Sequence, residues 1–456
     1  MRKICCTVYI VLLCTIASCA QSSDSSLRNV TGKDRSNRSA NGDLLPLTAE
    51  EHAARGRVYL ENRHFPEARE HFQLIIDNFP DAPEMSYALM GMGRSLMWER
   101  AYDKAIPWFE RAAKDYPATK DGRESLAFLG ACNVRLGHNI EAAAAYEKYT
   151  VMYPAGERIE SAYLNIIDAY REARLYDKAN DWVEKARVSF PGTPTETNAI
   201  DGRLRMEIYR MNWPAAISAA DLLLALNRFS RSMVSKDEIA YMRAFALEKS
   251  GKRAQAQAEY SVLAANSSYY GGLAADKLGG SGSRVKRIVA SSSAKDYPVP
   301  FRSEVLEFAK KNDVDPRFIM AIMKQESTFN PSVKSPSAAR GLLQLVVDTA
   351  AKYQAAAGYP ELQPDDLYNP RTNIAIGVEY IADLKSQFNG LYEAIAASYN
   401  GGEDNAARWL ARSHPKEAGI FASEIGFAET KNYVFKVMNN YRAYRELYTE
   451  NLLRKN

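Results

Sequence analysis

The chain has 456 residues, which predicts two or three domains of about 150 residues each. Its residues are 46% hydrophobic and 25% charged, which excludes a largely disordered chain, a collagen and a polytopic membrane protein. The net charge of +4 gives little reason to expect nucleic acid as a partner. The histidines are scattered and all but one of the cysteines lie near the N-terminus, so the sequence predicts no metal centre.

The N-terminus is typical of an export signal, predicted to cover residues 1–19. Two basic residues precede an apolar run, Ile4 to Ile16, which at about 13 residues is short for a membrane span but suits a secretory signal. The segment ending at Cys19 resembles the lipobox of bacterial lipoproteins, which implies lipidation of Cys19 and a membrane anchor in the cell envelope. Cleavage after Ala20 is the alternative. Because Ala20 and not aspartate follows the cysteine, we expect the periplasmic side of the outer membrane rather than the inner membrane.

Residues 20–46 are rich in Ser, Asn, Asp, Arg and Gly and poor in apolar side chains. Such a composition buries too little apolar surface to offset the loss of chain entropy on folding. We therefore predict a disordered tether that would span roughly 30 Å on average between the anchor and a folded body.

Residues 47–278 contain a sequence repeat with a period of 37 residues. An aromatic residue followed by proline recurs at Phe79-Pro80, Tyr116-Pro117, Tyr153-Pro154 and Phe190-Pro191. A small residue recurs at Ala68, Ala105, Ala142, Ala179 and Ala216. The period predicts an α-solenoid with one helix pair per repeat, in which proline follows the second helix, and it resembles tetratricopeptide-like repeats. Its function is left open between binding an envelope protein or peptide and serving as a scaffold.

A Gly- and Ser-rich linker is predicted at 279–296, and one further helical domain at 297–456. In that domain Asp315 and Pro316 predict the start of a helix that extends through Glu326. Ile322 and Met323 precede Glu326 on the same helical face, so its carboxyl should be desolvated and its pKa raised, as a general acid requires.

Four motifs follow one another in this segment: Glu326-Ser327, Gly341 to Leu345, Ala397 to Gly402, and Glu429 to Val434. In this order and spacing they resemble the catalytic domain of soluble lytic transglycosylases, over essentially all of 297–456. The resemblance implies a lysozyme-like, mostly α-helical domain, and therefore an all-α protein. It also implies cleavage of peptidoglycan glycan strands between N-acetylmuramic acid and N-acetylglucosamine, without net hydrolysis and without a cofactor.

The resemblance further implies a role for each motif residue. Glu326 would act first as the acid and then as the base. The expected substrate-binding residues are Ser327, Gln344, Tyr399, Asn400, Glu429 and Tyr433. Ser327 and Gln344 would hydrogen-bond the sugars, and Tyr433 would lie near the catalytic carboxyl. Glu429 would be structural or would orient the substrate. Core packing is the alternative role for the two tyrosines.

The sequence departs from the family pattern at three places. Leu343 stands where methionine is common, Val346-Val347 replaces Met-Pro, and Gly402 replaces alanine. Leu343 predicts an altered wall of the saccharide site, and the loss of proline removes a fixed bend, so the changes bear on substrate preference more than on activity. Two other functions stay open: a hydrolase of the same fold, which needs a further base to activate water, and an envelope scaffold that acts through its repeats. The sequence does not determine whether cleavage would occur within glycan strands or from their ends.

Overall fold

The computed structural model describes residues 25–279 and 295–455. The predicted signal, Cys19 and most of the predicted linker lie outside these ranges. Within them the elements are α-helices and one short 3₁₀ helix, and β pairing is confined to isolated bridges. No helix in the described ranges is both long and apolar enough to cross a bilayer. The chain divides into two compact units, Met1–Pro191 and Gly192–Asn456.

Unit 1 contains α1 (residues 25–36) and four helix pairs. The pairs are α2 Ala49–Glu61 with α3 Phe65–Asn78, α4 Met85–Trp98 with α5 Tyr102–Asp115, α6 Lys120–Leu136 with α7 Asn139–Met152, and α8 Ile159–Glu172 with α9 Tyr176–Ser189. The second helix of each pair ends directly before the aromatic–proline dipeptide. The predicted helix pairs are therefore confirmed in this unit.

A close contact between a glycine and an aromatic ring recurs inside the pairs. A Cβ added to the glycine of the first helix would lie 2.6 Å from a ring atom of the second: Gly56 against Phe72, Gly93 against Phe109 and Gly130 against Tyr146. The repeated alanines are fully buried beside them. The periodic small and large residues thus interlock in the core, as the sequence predicts.

The structure differs from the predicted tether over residues 25–46. Residues 25–36 are helical, and Asp34 is buried. Its carboxylate accepts hydrogen bonds from Tyr59 Oη at 2.7 Å and from Arg55, and it lies 3.1 Å from His71 Nε2. Burial raises the pKa of Asp34, but these donors outweigh burial and leave the pKa below its ordinary value. Asp34, together with Leu27 and Val30 packed on the core of the first helix pair, anchors a segment whose composition indicates disorder.

A buried histidine pair makes the stability of unit 1 sensitive to pH. His52 Nδ1 and His71 Nδ1 lie 2.9 Å apart, so only one of them carries a proton. Burial lowers the pKa of His52 from 6.5 to about 4. The unfolded chain therefore binds a proton that the folded chain does not, and stability present above pH 6.5 should be lost as the pH falls toward 4. The loss from His52 alone is on the order of 3 kcal/mol.

Thermal unfolding of the full chain across this pH range measures the loss. His52→Gln should remove part of the pH dependence, whereas His138→Gln, at an exposed position, should leave it unchanged. A pH dependence that is the same in wild type and His52→Gln would contradict the assignment.

Unit 2 begins with two further helix pairs and α14, and then continues into the predicted catalytic segment. The repeat helices are α10 Pro194–Tyr209, α11 Trp213–Leu226, α12 Lys236–Lys249, α13 Arg253–Leu263 and α14 Tyr269–Lys277. The remaining helices are α15 Arg302–Lys311, α16 Pro316–Ser327, α17 Val347–Tyr353, the 3₁₀ helix Pro364–Tyr368, α18 Pro370–Gln387, α19 Tyr392–Gly401, α20 Glu403–Arg412, α21 Ala418–Glu424 and α22 Ala428–Leu447.

The last repeats pack directly on the predicted catalytic segment, so the predicted boundary at 279–296 does not separate the compact units. Lys431 Nζ lies 2.7 Å from Glu238 Oε1, and both residues are buried. Tyr269 stacks on Phe435 with ring centroids 4.8 Å apart, and its hydroxyl donates to Glu393 at 3.1 Å. These contacts join residues more than a hundred positions apart, which local sequence patterns do not encode.

Candidate active site

The candidate acid lies in the last turn of α16. Asp315 begins this helix, since its carboxylate accepts the backbone N–H of Arg317 at 2.9 Å. The helix ends at Ser327, and Thr328 adopts a left-handed conformation with φ of 50°. The predicted helix start at Asp315 and its extent through Glu326 are confirmed.

Glu326 is half-buried above the apolar core of this segment. Ile322 and Met323 are fully buried, and burial raises the pKa of Glu326 to about 7. Tyr433 Oη donates to Glu326 Oε1 at 2.6 Å, which opposes part of that rise. The predicted desolvation of Glu326 and its proximity to Tyr433 are both confirmed. At neutral pH such a carboxyl is divided between its protonated and ionised forms.

Tyr399 connects α19 to the loop 341–345. Its hydroxyl donates to the Leu343 carbonyl at 2.6 Å. Burial raises the pKa of Tyr399 well above its ordinary value, and the negative charge of Glu326 adds to the rise, which puts the ring near that carboxyl. Tyr399 therefore both fixes the loop and lies beside the candidate acid, so packing and cleft roles are not exclusive.

Asn373 holds the same loop from the opposite side, a role that the sequence interpretation did not assign. The buried amide of Asn373 accepts from Leu343 N at 2.8 Å and donates to the carbonyls of Arg340 and Leu367. Gly341 has a φ of 76°, and a Cβ there would collide with the Leu367 carbonyl. The sequence did contain a signal for Asn373. It is an asparagine near the start of a helix that is followed by an apolar run.

The two predicted sugar-binding groups nearest to Glu326 in sequence make internal hydrogen bonds. Gln344 Nε2 donates to the carbonyls of Val333 at 3.1 Å and Gly341 at 2.9 Å. This leaves its amide oxygen for a substrate. Ser327 is buried, and its hydroxyl donates to the Met323 carbonyl at 3.2 Å. The substrate contacts of Ser327 and Gln344 stay predictions. They are limited to the polar atoms that these internal hydrogen bonds leave available.

Neighbouring side chains of the α22 motif contact three different parts of the chain. Thr430 Oγ1 donates to Asn400 Oδ1 at 2.7 Å, Lys431 pairs with Glu238, and one turn later Tyr433 contacts the candidate acid. Glu429 is exposed, and among the described residues no hydrogen bond or ion pair joins it to the acid. Helix α22 therefore contacts Asn400 through Thr430 and the candidate acid through Tyr433. The roles of Thr430 and Lys431 were missed because a motif does not reveal partners distant in sequence.

The departure at Leu343 lies in the core rather than in a saccharide wall. Leu343 is fully buried, and a Cβ on Gly377 would collide with its side chain. The interpretation of Leu343 as part of the wall is therefore wrong, since the Gly377–Leu343 contact leaves its side chain no surface. Val346, in contrast, is 37% exposed.

Comparison with known proteins agrees with this geometry. The model of the "Transglycosylase SLT domain" family matches residues 304–421, a range that contains Glu326 and Tyr399. Residues 304–421 form a transglycosylase SLT domain. Tyr433 lies beyond the matched range, so the site combines the SLT domain with α22. Within the described ranges, no cluster of His, Cys, Asp or Glu side chains is arranged to hold a metal ion.

Named relatives are similar to about a third of this chain. The soluble lytic murein transglycosylase of Salmonella typhimurium is 34% identical over 144 residues, which cover 31% of this chain and 22% of that protein. The membrane-bound lytic murein transglycosylase C of Serratia proteamaculans is 29% identical over 162 residues, 31% of this chain and 45% of that protein. The chain thus spans between about a fifth and just under half of the length of these relatives.

Two solved structures share the fold over most of the chain. The lytic transglycosylase Slt of Pseudomonas aeruginosa aligns with a TM-score of 0.55 and 18% identity, covering 87% of this chain and 72% of that one. The 70 kDa soluble lytic transglycosylase of Escherichia coli aligns with a TM-score of 0.52 and 17% identity, covering 97% and 90%. The shared fold is all-α, with helical repeats before the SLT domain.

Proposed function

We propose that the chain is a peptidoglycan lytic transglycosylase. It would cleave the β-1,4 bond between N-acetylmuramic acid and N-acetylglucosamine and leave a 1,6-anhydromuramic end, for remodelling or turnover of the cell wall. The observation that carries the proposal is Glu326, a half-buried carboxyl with its pKa raised to about 7 inside an SLT domain. The names of the relatives, which describe enzymes of murein, support the same substrate class.

The geometry suits one carboxyl that acts twice. Protonated Glu326 donates its proton to the glycosidic oxygen, and the bond from that oxygen to C1 of the muramic sugar breaks. The resulting carboxylate, stabilised by Tyr433, then accepts the proton of the muramic C6 hydroxyl while the C6 oxygen bonds to C1. Atoms balance without water, and Glu326 ends protonated as it began. Glu429, the other carboxyl of the motifs, is exposed and offers no second base next to Glu326.

Product analysis tests this proposal against hydrolysis. Purified sacculi are digested with the full chain, and the muropeptides are analysed by mass spectrometry. Transglycosylation gives anhydro ends that are lighter by one water than the reducing ends produced by a hydrolase. Reducing muramic ends as the main product would replace the proposal with a lysozyme-like hydrolase.

We also infer that the protein is lipid-anchored in the cell envelope, with the outer membrane favoured. The support is the lipobox-like sequence ending at Cys19 and a relative named as membrane-bound. Incorporation of labelled palmitate should occur in the wild type and be lost in Cys19→Ser. Equal labelling of both would exclude this anchor.

Tyr433→Phe should move the pH profile of the reaction upward. A general acid works in its protonated form, so activity should decline as the pH rises through the pKa of Glu326, about 7 in the wild type. Because the Tyr433 hydroxyl lowers this pKa, its removal should shift the decline in kcat/KM to higher pH. Tyr448→Phe is the matched control, since that hydroxyl donates to the Tyr297 carbonyl instead. Coincident profiles for Tyr433→Phe and the wild type would disprove this link.

A further inference from the structure

A groove of about 830 Å³ lies on unit 1, and none of its lining residues belongs to the SLT domain. Its walls come from the first helices of successive repeats, α2, α4, α6 and α8. Tyr87 and Phe128 supply half-buried aromatic surface, and Met90 is buried between repeats. The groove therefore offers an apolar floor suited to a small ligand or a peptide.

Two arginines without ion pairs lie in this groove. The guanidinium carbon of Arg57 is 4.8 Å from the ring centroid of Tyr87, and that of Arg94 is 5.9 Å from that of Phe128. Within the described ranges neither forms a salt bridge with a carboxylate, and the buried Nε of Arg94 has no hydrogen-bond partner. The Arg57 side chain hydrogen-bonds the Tyr87 hydroxyl, and the charge of Arg94 acts on the same hydroxyl, so both guanidinium groups act on one point of the groove. Paired guanidinium groups of this kind favour a carboxylate ligand.

The arginine pair occurs in only two of the aligned repeats of unit 1. Arg57 and Arg94 follow Gly56 and Gly93 and are therefore equivalent positions, one period apart. In the next repeat the equivalent position is Ala131. The repeated core does not require arginine there, since the third pair packs without it.

The other end of the groove carries acidic groups. Glu84 has no ion pair among the described residues, and Asp121 accepts a hydrogen bond from Ser86 at 3.0 Å. Nearby carboxylates are already paired, Glu124 with Arg158 and Glu157 with Arg123. Lys120 also lines this end, and its positive charge helps to lower the pKa of Glu157.

The separation of the two ends matches a short peptide. Glu84 and Arg94 are ten residues apart along α4, about 15 Å at the rise of an α-helix. An extended peptide of four residues spans roughly 13–14 Å. A ligand with a carboxylate at one end and an ammonium group near the other would meet opposite charge at both ends.

We propose that this groove binds the short peptide stems of peptidoglycan. Arg57 and Arg94 hold a peptide carboxylate, Tyr87 and Phe128 contact its apolar parts, and Glu84 meets an ammonium group. These stems are tetrapeptide-sized and carry free carboxylates and, where a diamino acid is present, a free amine. The inference rests on the proposed function, which makes strands bearing such peptides the substrate.

Titration calorimetry with the isolated peptide tests the groove separately from the chemistry. The probe is synthetic N-acetyl-L-Ala-γ-D-Glu-meso-diaminopimelate-D-Ala, which contains no glycosidic bond and has its N-terminus acylated as in the stem, added to the full chain carrying Glu326→Gln. We expect binding that weakens about tenfold or more when the carboxylates of the probe are amidated, because charge-assisted hydrogen bonds are lost. The comparison of the free and the amidated probe changes only the ligand, so its result does not depend on whether a variant folds.

The protein arm uses Arg57→Ala with Arg94→Ala and should also weaken binding about tenfold or more. Arg111→Ala is the control, since that exposed arginine pairs only with Asp115 on α5. Three results overturn the inference: no binding of the stem peptide, equal binding of the amidated probe, or equal binding of an all-L, α-linked tetrapeptide of the same charge. The last result would make the groove a site for protein segments. Product analysis of sacculi is independent of all three, so either proposal can fail alone.

Discussion

Glu326→Gln is expected to lower the rate of peptidoglycan cleavage by about 10² to 10⁴, the usual contribution of a positioned general acid. The amide keeps the size of the side chain, and Tyr433 can still donate to its oxygen. It cannot supply a proton to the leaving sugar or remove one from the C6 hydroxyl. The change therefore removes both proposed roles while leaving the buried surroundings of the site intact.

Release of soluble muropeptides from purified sacculi measures this loss. Glu361→Gln makes the same chemical change at an exposed position of the SLT domain and should retain wild-type activity. Binding of sacculi by the Glu326→Gln variant should also persist, since no apolar contact is removed. A variant at position 326 that cleaves at the wild-type rate would refute the assignment of the acid.

Lys431→Met should destabilise unit 2 by about 3–5 kcal/mol, the range for removing one partner of a buried ion pair. Glu238 is fully buried, and burial raises the pKa of its carboxyl while the Lys431 charge opposes that rise. Without Lys431 the carboxyl must either remain charged in an apolar setting or take up a proton. The lysine also contacts the carbonyls of Met233 and Ser423 at 3.3 and 3.4 Å. The effect reaches the active site because α22 carries Tyr433 as well.

Urea unfolding of the full chain gives the change in free energy. Lys436→Met is the matched control, an exposed lysine on the same helix, and should change stability by less than about 0.5 kcal/mol. Replacing both partners, Lys431→Met with Glu238→Leu, should recover most of the loss, since neither charge is then left buried. A single variant as stable as the control would show that the pair contributes nothing.

Local patterns accounted for the parts of the fold that local interactions build. The alanine and aromatic positions of the repeat predicted helix pairs because small and large residues must interlock at each turn. Asp315 and Pro316 predicted the start of α16, because capping is settled within a few residues. Ile322 and Met323 predicted a desolvated Glu326 for the same reason, since residues three and four positions apart share one helical face.

Composition misled at the N-terminus, and the motifs did not reveal all the contacts that their residues make. Residues 25–36 look polar enough to be disordered, but Asp34 has donors on two other helices that no composition reveals. The sugar-binding role of Gln344 stays a prediction, and the sequence did not show that its amide nitrogen also holds the loop that carries it. Leu343 was placed at the saccharide wall but packs under Gly377. In each case the deciding partner is separated in sequence from the residue that was interpreted.

The amino-acid order by itself determined the helical repeats, the helix that carries the candidate acid and the family of the segment around it. Those features depend on neighbours within a turn or a period. Only the tertiary structure decided that Thr430 contacts Asn400, that Lys431 neutralises Glu238, and that the last repeats form one compact unit with the SLT domain. These contacts join distant residues, and their energies arise from burial and charge that exist only once the chain has folded.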